Sequence, residues 1–331
     1  MRKAILLAMA ALAAFVFFNN ASFLSFRRVA APTILAHRGM AQRFDPRDVR
    51  NDTCTARRLL PTEHQFLENT IPSMRAAYAA GADIIEVDVH PTTDGQFAVF
   101  HDWTLDCRTN GTGVTRDHAM AELKTLDVGY GYTADGGRTF PFRGRGIGLM
   151  PTLDDVLSTF PRARILINMK SRDAAEGAKL ADVLERLSPQ RRTQLTAYGS
   201  SEPVGALRKR LPDMRILTKT SIRSCLGQYI ALGWTGFAPT PCRNTIILVP
   251  INIAPWLWGW PNKFLNRMDA TNAQVFVLGP YAGGEFSTGL DTQAQLDLLP
   301  KDYSGGIWTN EVGFVARRMA QQHRRGSPPK E

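Results

Sequence analysis

Short apolar runs of strand character alternate with helical patterns along nearly the whole chain, and this alternation constrains the fold more than any other feature. The strand-like runs fall at 33–37, 83–89, 164–169, 193–198, 214–218, 235–239, 273–278 and 305–309. Helical patterns fall at 69–80, 173–187, 202–210, 222–232, 263–270, 290–299 and 311–323. Strands joined through helices are parallel, because a helical crossover returns the chain to the end where the first strand began. The chain therefore reads as an α/β domain. At 331 residues, 44% of them hydrophobic, it is long enough to bury one large core.

The richest chemistry lies between Glu86 and Asp102. Alternation over 83–89 puts Glu86 and Asp88 on the same strand face. Asp94-Gly95 is a hairpin turn signal, and 97–100 returns as a second strand that carries His101 back toward the carboxylates. Two carboxylates on one face with an imidazole over them suit a hard divalent cation beside a proton-transfer group. Taken alone, the same run also describes a half-buried strand with a solvated acidic face.

A second cluster narrows the choice. The apolar run 33–36 ends in His37-Arg38-Gly39, as at the mouth of a buried strand. Glu68-Asn69-Thr70 opens a helix, with Asn69 or Thr70 as N-cap and Pro72 in the first turn. His-Arg-Gly, then Glu-Asn-Thr, then the Glu86/Asp88 strand, then the hairpin closed by His101-Asp102 resembles the glycerophosphodiester phosphodiesterase family. The resemblance continues through Asn110-Gly111-Thr112-Gly113, Pro151-Thr152-Leu153 and Asn168-Met169-Lys170. It spans roughly residues 33–320, nearly a whole domain. It implies a TIM (β/α)8 barrel over 29–323, and it partly guides the count of strand-like runs above. Insertions are expected at about 40–67, 104–150 and 240–262, all after strand C-termini, the end where barrel active sites form. Residues 324–331 form a polar tail.

The resemblance further implies a metal-dependent phosphodiesterase acting on glycerophosphodiesters or related (lyso)phospholipids. His37 and His101 would be the acid–base pair, with the order of their roles open. Glu86 and Asp88 would hold Mg²⁺ or Ca²⁺, and Arg38 and Lys170 would clamp the phosphate. Glu68 would orient a catalytic group or stabilise a helix N-terminus. Two departures stand out. Where the family usually has a third carboxylate, this chain has Asn168, whose amide oxygen ligates a hard cation without charge, so metal affinity should fall unless Glu63 or Glu311 contributes. Leu278-Gly279-Pro280-Tyr281 stands where the family typically has a tryptophan-containing stretch. Two other readings stay open: a sphingomyelinase-D-like transphosphatidylase that releases a cyclic phosphate, and a catalytically silent lipid-binding barrel.

Residues 4–18 are an unbroken apolar run behind Met1-Arg2-Lys3, the pattern of an export signal. With 21–26 added, the run approaches the ~20 residues that a membrane span needs. Residues 1–28 are thus a signal peptide or an N-terminal membrane anchor, and the catalytic domain is expected to be membrane-associated or periplasmic/extracytoplasmic. The formal charge of +10 is scattered, without a nucleic-acid-binding motif, and fits anionic lipid head groups rather than nucleic acid. Residues 244–262 carry no charge and are broken by Pro250, Pro255 and Pro261. Trp256, Trp258 and Trp260 in this stretch suit a loop meeting a membrane interface or an acyl chain, or a hydrophobic lid packed on the barrel. Cys54, Cys107, Cys225 and Cys242 show no CxxC spacing, which argues against zinc. An even count behind an export signal permits disulfides. Cys54 and Cys107 fall in loops at the expected catalytic end, Cys225 and Cys242 flank one strand, and either pair is able to bridge.

Overall fold

The computed structural model describes residues 1–27, 30–50, 53–61, 63–283 and 288–326. Its strands are β1 (Thr33–Ala36), β2 (Ile84–Pro91), β3 (Phe97–Val99), β4 (Arg164–Met169), β5 (Leu195–Gly199), β6 (Arg215–Thr218), β7 (Ile246–Pro250), β8 (Gln274–Leu278) and β9 (Gly306–Thr309). All but β3 are parallel, in the order β6-β5-β4-β2-β1-β9-β8-β7, and curl into a nearly closed barrel. Among the strands of the described residues, β3 alone runs antiparallel, returning from the Asp94-Gly95 turn to pair Val99 with Val89.

Burial explains the pattern. Every position of β2 is buried, as expected of a parallel strand covered on both faces. Outward side chains such as Ile85, Val87, Ile165 and Ile167 pack beneath the helices. Inward side chains Leu35, Ile84, Leu166, Leu217, Phe276 and Trp308 plug the barrel axis. Further along the strands the inward positions turn polar: register aligns Asp88 with Asn168 and Asn168 with Tyr198. Polar groups at that end are what a barrel active site requires.

The expected strand at 235–239 is not one. Gly236, left-handed at φ 92°, ends a 3-10 turn over Gly233–Thr235, and a second such turn spans Thr240–Cys242. Pro239 and Pro241 lack the amide a ladder needs, whereas 245–249 reads Thr-Ile-Ile-Leu-Val, rich in β-branched residues. The sixth parallel helix-connected strand of the pattern is therefore β7, and it occupies part of the stretch expected to be an insertion at 240–262. The connection after β7 runs only to the helix Asn262–Asp269. β6 and β7 form the open seam of the barrel; the Thr245 hydroxyl spans it by donating to Ile216 O at 2.7 Å.

The other two insertions follow β1 and β3 and pack on each other. Ala56, Leu59 and Leu67 from the first meet Leu105, Met120, Tyr132 and Phe142 from the second in a core of their own. A Cys54–Cys107 disulfide joins them, and Cys225–Cys242 joins the helix Lys219–Leu232 to the approach to β7. The helix Arg2–Asn20 has no buried residue, but its C-terminal end docks on the barrel: Asn19 and Asn20 both donate to Trp234 O, and Arg267 donates to Asn19 O. Of the polar tail, residues 327–331 lie outside the described residues, as does Arg28.

Candidate active site

The His37-Arg38-Gly39 turn begins the site. His37 N–H still pairs with Thr309 O as β1 ends. Arg38 and Gly39 then adopt left-handed backbone, φ 58° and 80°, and turn the chain sharply. A Cβ at Gly39 would lie 2.4 Å from Ser73 Oγ, so only glycine allows this close approach to the following helix. The turn aims Arg38 N–H at Glu86 Oε2, 3.2 Å away.

Glu86 and Asp88 point into the barrel and are fully buried. Glu86 Oε1 accepts from the Tyr198 hydroxyl at 2.7 Å. Burial, reinforced by the like charge of Asp88, pushes the Glu86 carboxyl up to about 8. Asp88 is held the other way. Burial opposes its ionisation, but the Lys170 and Arg38 charges keep it well below the usual carboxylate range. Its Oδ1 accepts from Asn168 Nδ2 at 2.8 Å and lies 3.4 Å from Lys170 Nζ. Its Oδ2 accepts from Asn69 Nδ2 at 3.0 Å and lies 3.1 Å from Arg38 Nε.

Both histidines lie near this pair. His37 Nδ1 bonds Asn310 Oδ1 at 2.7 Å, leaving Nε2 3.9 Å from Glu86 Oε2. Its ring lies 5.3 Å from that of Trp308. Burial, with the neighbouring Arg38 charge, lowers His37 to about 4. His101 Nδ1 bonds Asp102 Oδ1 at 2.7 Å, and burial with Arg38 and Lys170 lowers it well below the ordinary imidazole value. Both rings are thus held neutral and oriented through Nδ1.

The structure brings together His37, His101, Arg38, Lys170, Glu86, Asp88, Asn168 and Glu68. Arg38 differs from expectation in how it is used: it is 5% exposed and its guanidinium is engaged by Glu68 (2.9 Å) and Asp88. That is a buried counter-charge. Lys170 is the less buried of the two, with 21% of its side chain exposed. Thr70, not Asn69, caps the helix Ile71–Ala79; Asn69 takes the left-handed φ of 57° and holds Asp88 by both its backbone and side chain. Glu63 is exposed and Glu311 pairs with Arg43 at 3.3 Å, so neither supplies the missing acid. Among the described residues no third carboxylate, histidine or cysteine joins Glu86 and Asp88.

The tryptophans separate. Trp258 donates its indole N–H to Ile230 O at 2.8 Å, and the Trp260 ring packs 5.5 Å from Tyr303. These two belong to the barrel flank. Trp256 alone is open, at 76% exposure. Sequence reading also missed Tyr198, Asp102, Arg108 and Asn310 as site members. Asp102 was visible as the closing residue of the hairpin motif; Tyr198 and Asn310 lie in runs without chemical signal and are found only by register and proximity.

A divalent cation fits here. Two buried carboxylates side by side leave Glu86 holding a proton against its neighbour, which is a shortage of positive charge that a cation relieves. Glu86 and Asp88 would hold it, with the Asn168 amide oxygen available if that side chain rotates; two charges instead of three would make such a site a weak one.

The family model described as the glycerophosphoryl diester phosphodiesterase family matches residues 37–219. A glycerophosphodiester phosphodiesterase of Bacillus subtilis is 39% identical over 114 residues, 33% of this chain and 38% of that protein. A lysophospholipase D of Homo sapiens is 30% identical over 193 residues, 56% of this chain and 57% of its own. The chain thus spans well under two thirds of the length of either relative. Among solved structures, an Oleispira antarctica phosphodiesterase in complex with the product sn-glycerol-3-phosphate superposes with a TM-score of 0.57 at 17% identity, covering 88% of this chain and 97% of that one. The glycerophosphoryl diester phosphodiesterase domain of a Mycobacterium tuberculosis protein gives 0.62 at 16% identity, covering 87% and 99%.

Proposed function

The chain belongs to the glycerophosphoryl diester phosphodiesterase family, and from that premise we propose that it hydrolyses glycerophosphodiesters or related (lyso)phospholipids by acid–base catalysis between His37 and His101. The observation that carries this reading is the pair of imidazoles, each tied through Nδ1, close to one buried carboxylate pair. One Nε2 takes the proton of the attacking water or hydroxyl, and the other returns a proton to the leaving alkoxide. Both rings are neutral at rest. A bound phosphodiester anion favours protonation of one of them, which arms the pair only when substrate is present. Lys170 meets the phosphate oxygens, and Arg38 balances Asp88 and Glu68 from below. When bound at Glu86 and Asp88, Mg²⁺ or Ca²⁺ supplies charge neutralisation of the phosphate.

The same reading holds the protein at a membrane. Its support is the apolar helix Arg2–Asn20, long enough to cross a bilayer and docked at its base by Asn19 and Asn20, with Trp256, Ile230, Leu232 and Phe237 exposed on the barrel. Trp258 joins this surface to the anchor, because Arg267 reaches both Trp258 O and Asn20 Oδ1.

The test uses the full chain with glycerophosphocholine and lysophosphatidylcholine, with and without chelator, followed by phosphorus NMR. The expected result is chelator-sensitive release of the head-group alcohol and an open-chain phosphomonoester. A cyclic phosphate as end product would favour transphosphatidylation instead. His37→Ala and His101→Ala should each lower kcat by ~10²–10⁴ without lowering Tm. Retained turnover in either would remove that residue from the mechanism.

A further inference from the structure

Arg108 was singled out by no motif, yet it lies at the junction of the buried charge network. Its Nε donates to Asp102 Oδ2 at 2.9 Å, and Asp102 Oδ1 bonds His101 Nδ1. Its Nη1 lies 3.2 Å from Glu68 Oε1, the same oxygen that Arg38 Nη1 reaches at 2.9 Å. The remaining donors go to the Tyr132 hydroxyl and to Thr55 Oγ1 at 2.6 Å. Arg108 is 2% exposed, and its guanidinium lies beside the Tyr132 ring, 5.3 Å from its centroid. One planar fork therefore holds four partners, which a lysine ammonium on a flexible stem does not reproduce.

The backbone that presents Arg108 is itself clamped. Cys107 is bridged to Cys54, and the residues next to this bridge on each side, Thr55 and Arg108, hydrogen-bond each other. Gly131 N–H donates to Arg108 O, and a Cβ at Gly131 would fall 1.8 Å from Cys107 O, so the strand of chain behind Arg108 has no freedom to back away. The two insertions add Leu59 N–H to Thr133 O and Thr133 N–H to Ala56 O. All of this rigidity converges on one side chain whose outward contact is the partner of His101.

We infer that Arg108, pinned by the Cys54–Cys107 bridge and Thr55, is a positioning residue that fixes Asp102 and through it the His101 ring, so that the insertions serve turnover as well as shape. This rests on the reading of His101 as a catalytic group. Without Arg108, Asp102 loses the donor that fixes its Oδ2, and the imidazole tied to its Oδ1 loses its single orientation. Substrate binding depends on Lys170 and the carboxylate pair, none of which Arg108 touches, so kcat should suffer more than KM.

The experiment is a double-mutant cycle on the full chain with Arg108→Lys, Asp102→Asn and the pair, reading kcat, KM and Tm for each. Arg108→Lys should lower kcat about 10–100-fold, the range that outer-shell partners generally cost, with KM changed far less. The double variant should lose little beyond Asp102→Asn alone, because both act through one ring. Additive losses, or a native kcat in folded Arg108→Lys, would overturn the inference. Should Arg108→Lys fail to fold, Thr55→Val removes one anchor of the guanidinium at constant shape; a several-fold fall in kcat at unchanged KM supports the role and a native kcat overturns it. His101→Ala separates the two readings. If it keeps turnover, the acid–base assignment itself fails; if it is inactive while Arg108→Lys is native-like, only the positioning role falls.

Discussion

The two sides of this barrel are held together by different physics. Around β1, β2, β4 and β5, and under the two insertions that follow β1 and β3, Arg38 and Arg108 lie against Glu68, Asp88 and Asp102, all largely buried and mutually bonded. Around β6 to β9 the interior is apolar, the seam is crossed by one threonine hydroxyl, and a disulfide and packed tryptophans secure the flank. A buried charge tolerates only a complete set of partners, because removing one strands the rest in a low-dielectric interior. Apolar packing accepts many combinations of similar volume. The first side is therefore specified residue by residue and the second mainly by shape.

The two disulfides offer the largest handle on this contrast. Chain-entropy reasoning gives about 4 kcal/mol for the 53-residue separation of Cys54 and Cys107 and about 3 kcal/mol for the 17 of Cys225 and Cys242. Replacing either pair by serine should lower Tm, but only loss of Cys54–Cys107 should also lower kcat when measured well below Tm. Equal effects on kcat would dissolve the distinction between the two sides.

Next come the tryptophans. Trp258→Ala empties a packed position and frees Ile230 O, and should cost about 2–3 kcal/mol in denaturant unfolding. Trp256→Ser, at an exposed site, should leave unfolding unchanged within about 0.5 kcal/mol and weaken binding to anionic vesicles instead. A large stability loss at Trp256 would show that it too belongs to the packed flank.

A smaller effect is expected at Asn168. Asn168→Asp adds a third charge beside Asp88, so it should lower Tm without metal and roughly tenfold reduce the Mg²⁺ or Ca²⁺ concentration needed to restore it. An unchanged metal midpoint in thermal scans would place residue 168 outside the ligand shell.

The smallest concerns Glu311, next to β9. Burial pushes its carboxyl up to about 7; Arg43 opposes this, and the charges of Asp291 and Glu63 add to it. A raised carboxyl means that the folded protein keeps a proton the unfolded chain has already released. Its contribution is fully present below the ordinary carboxylate value and is lost as pH rises through about 7. Glu311→Gln should remove that loss, on the order of 1 kcal/mol after solvent screening, between the ordinary carboxylate value and about pH 7. Parallel stability profiles for wild type and variant would mean that the carboxyl is already ionised in the fold.

By itself the sequence determined the parallel α/β architecture, the strand carrying Glu86 and Asp88, the hairpin that returns His101, and the two histidines as candidate chemistry. These follow from local periodicity and from short motifs whose residue types are irreplaceable for their task. It misplaced the strand before β8, because Gly-Phe-Ala-Pro has the apolar character of a strand but not its hydrogen-bonding capacity, which only the neighbouring ladder reveals. Tertiary structure alone decided that Arg38 faces inward to carboxylates, that Asn69 braces Asp88 instead of capping a helix, and that Asn310 and Asp102 orient the two imidazoles. Tyr198 on Glu86 and Arg108 between two loops belong with them. Each such contact joins residues far apart in the chain through strand register or loop packing, and a linear pattern carries no record of which buried charge will find which partner across a closed barrel.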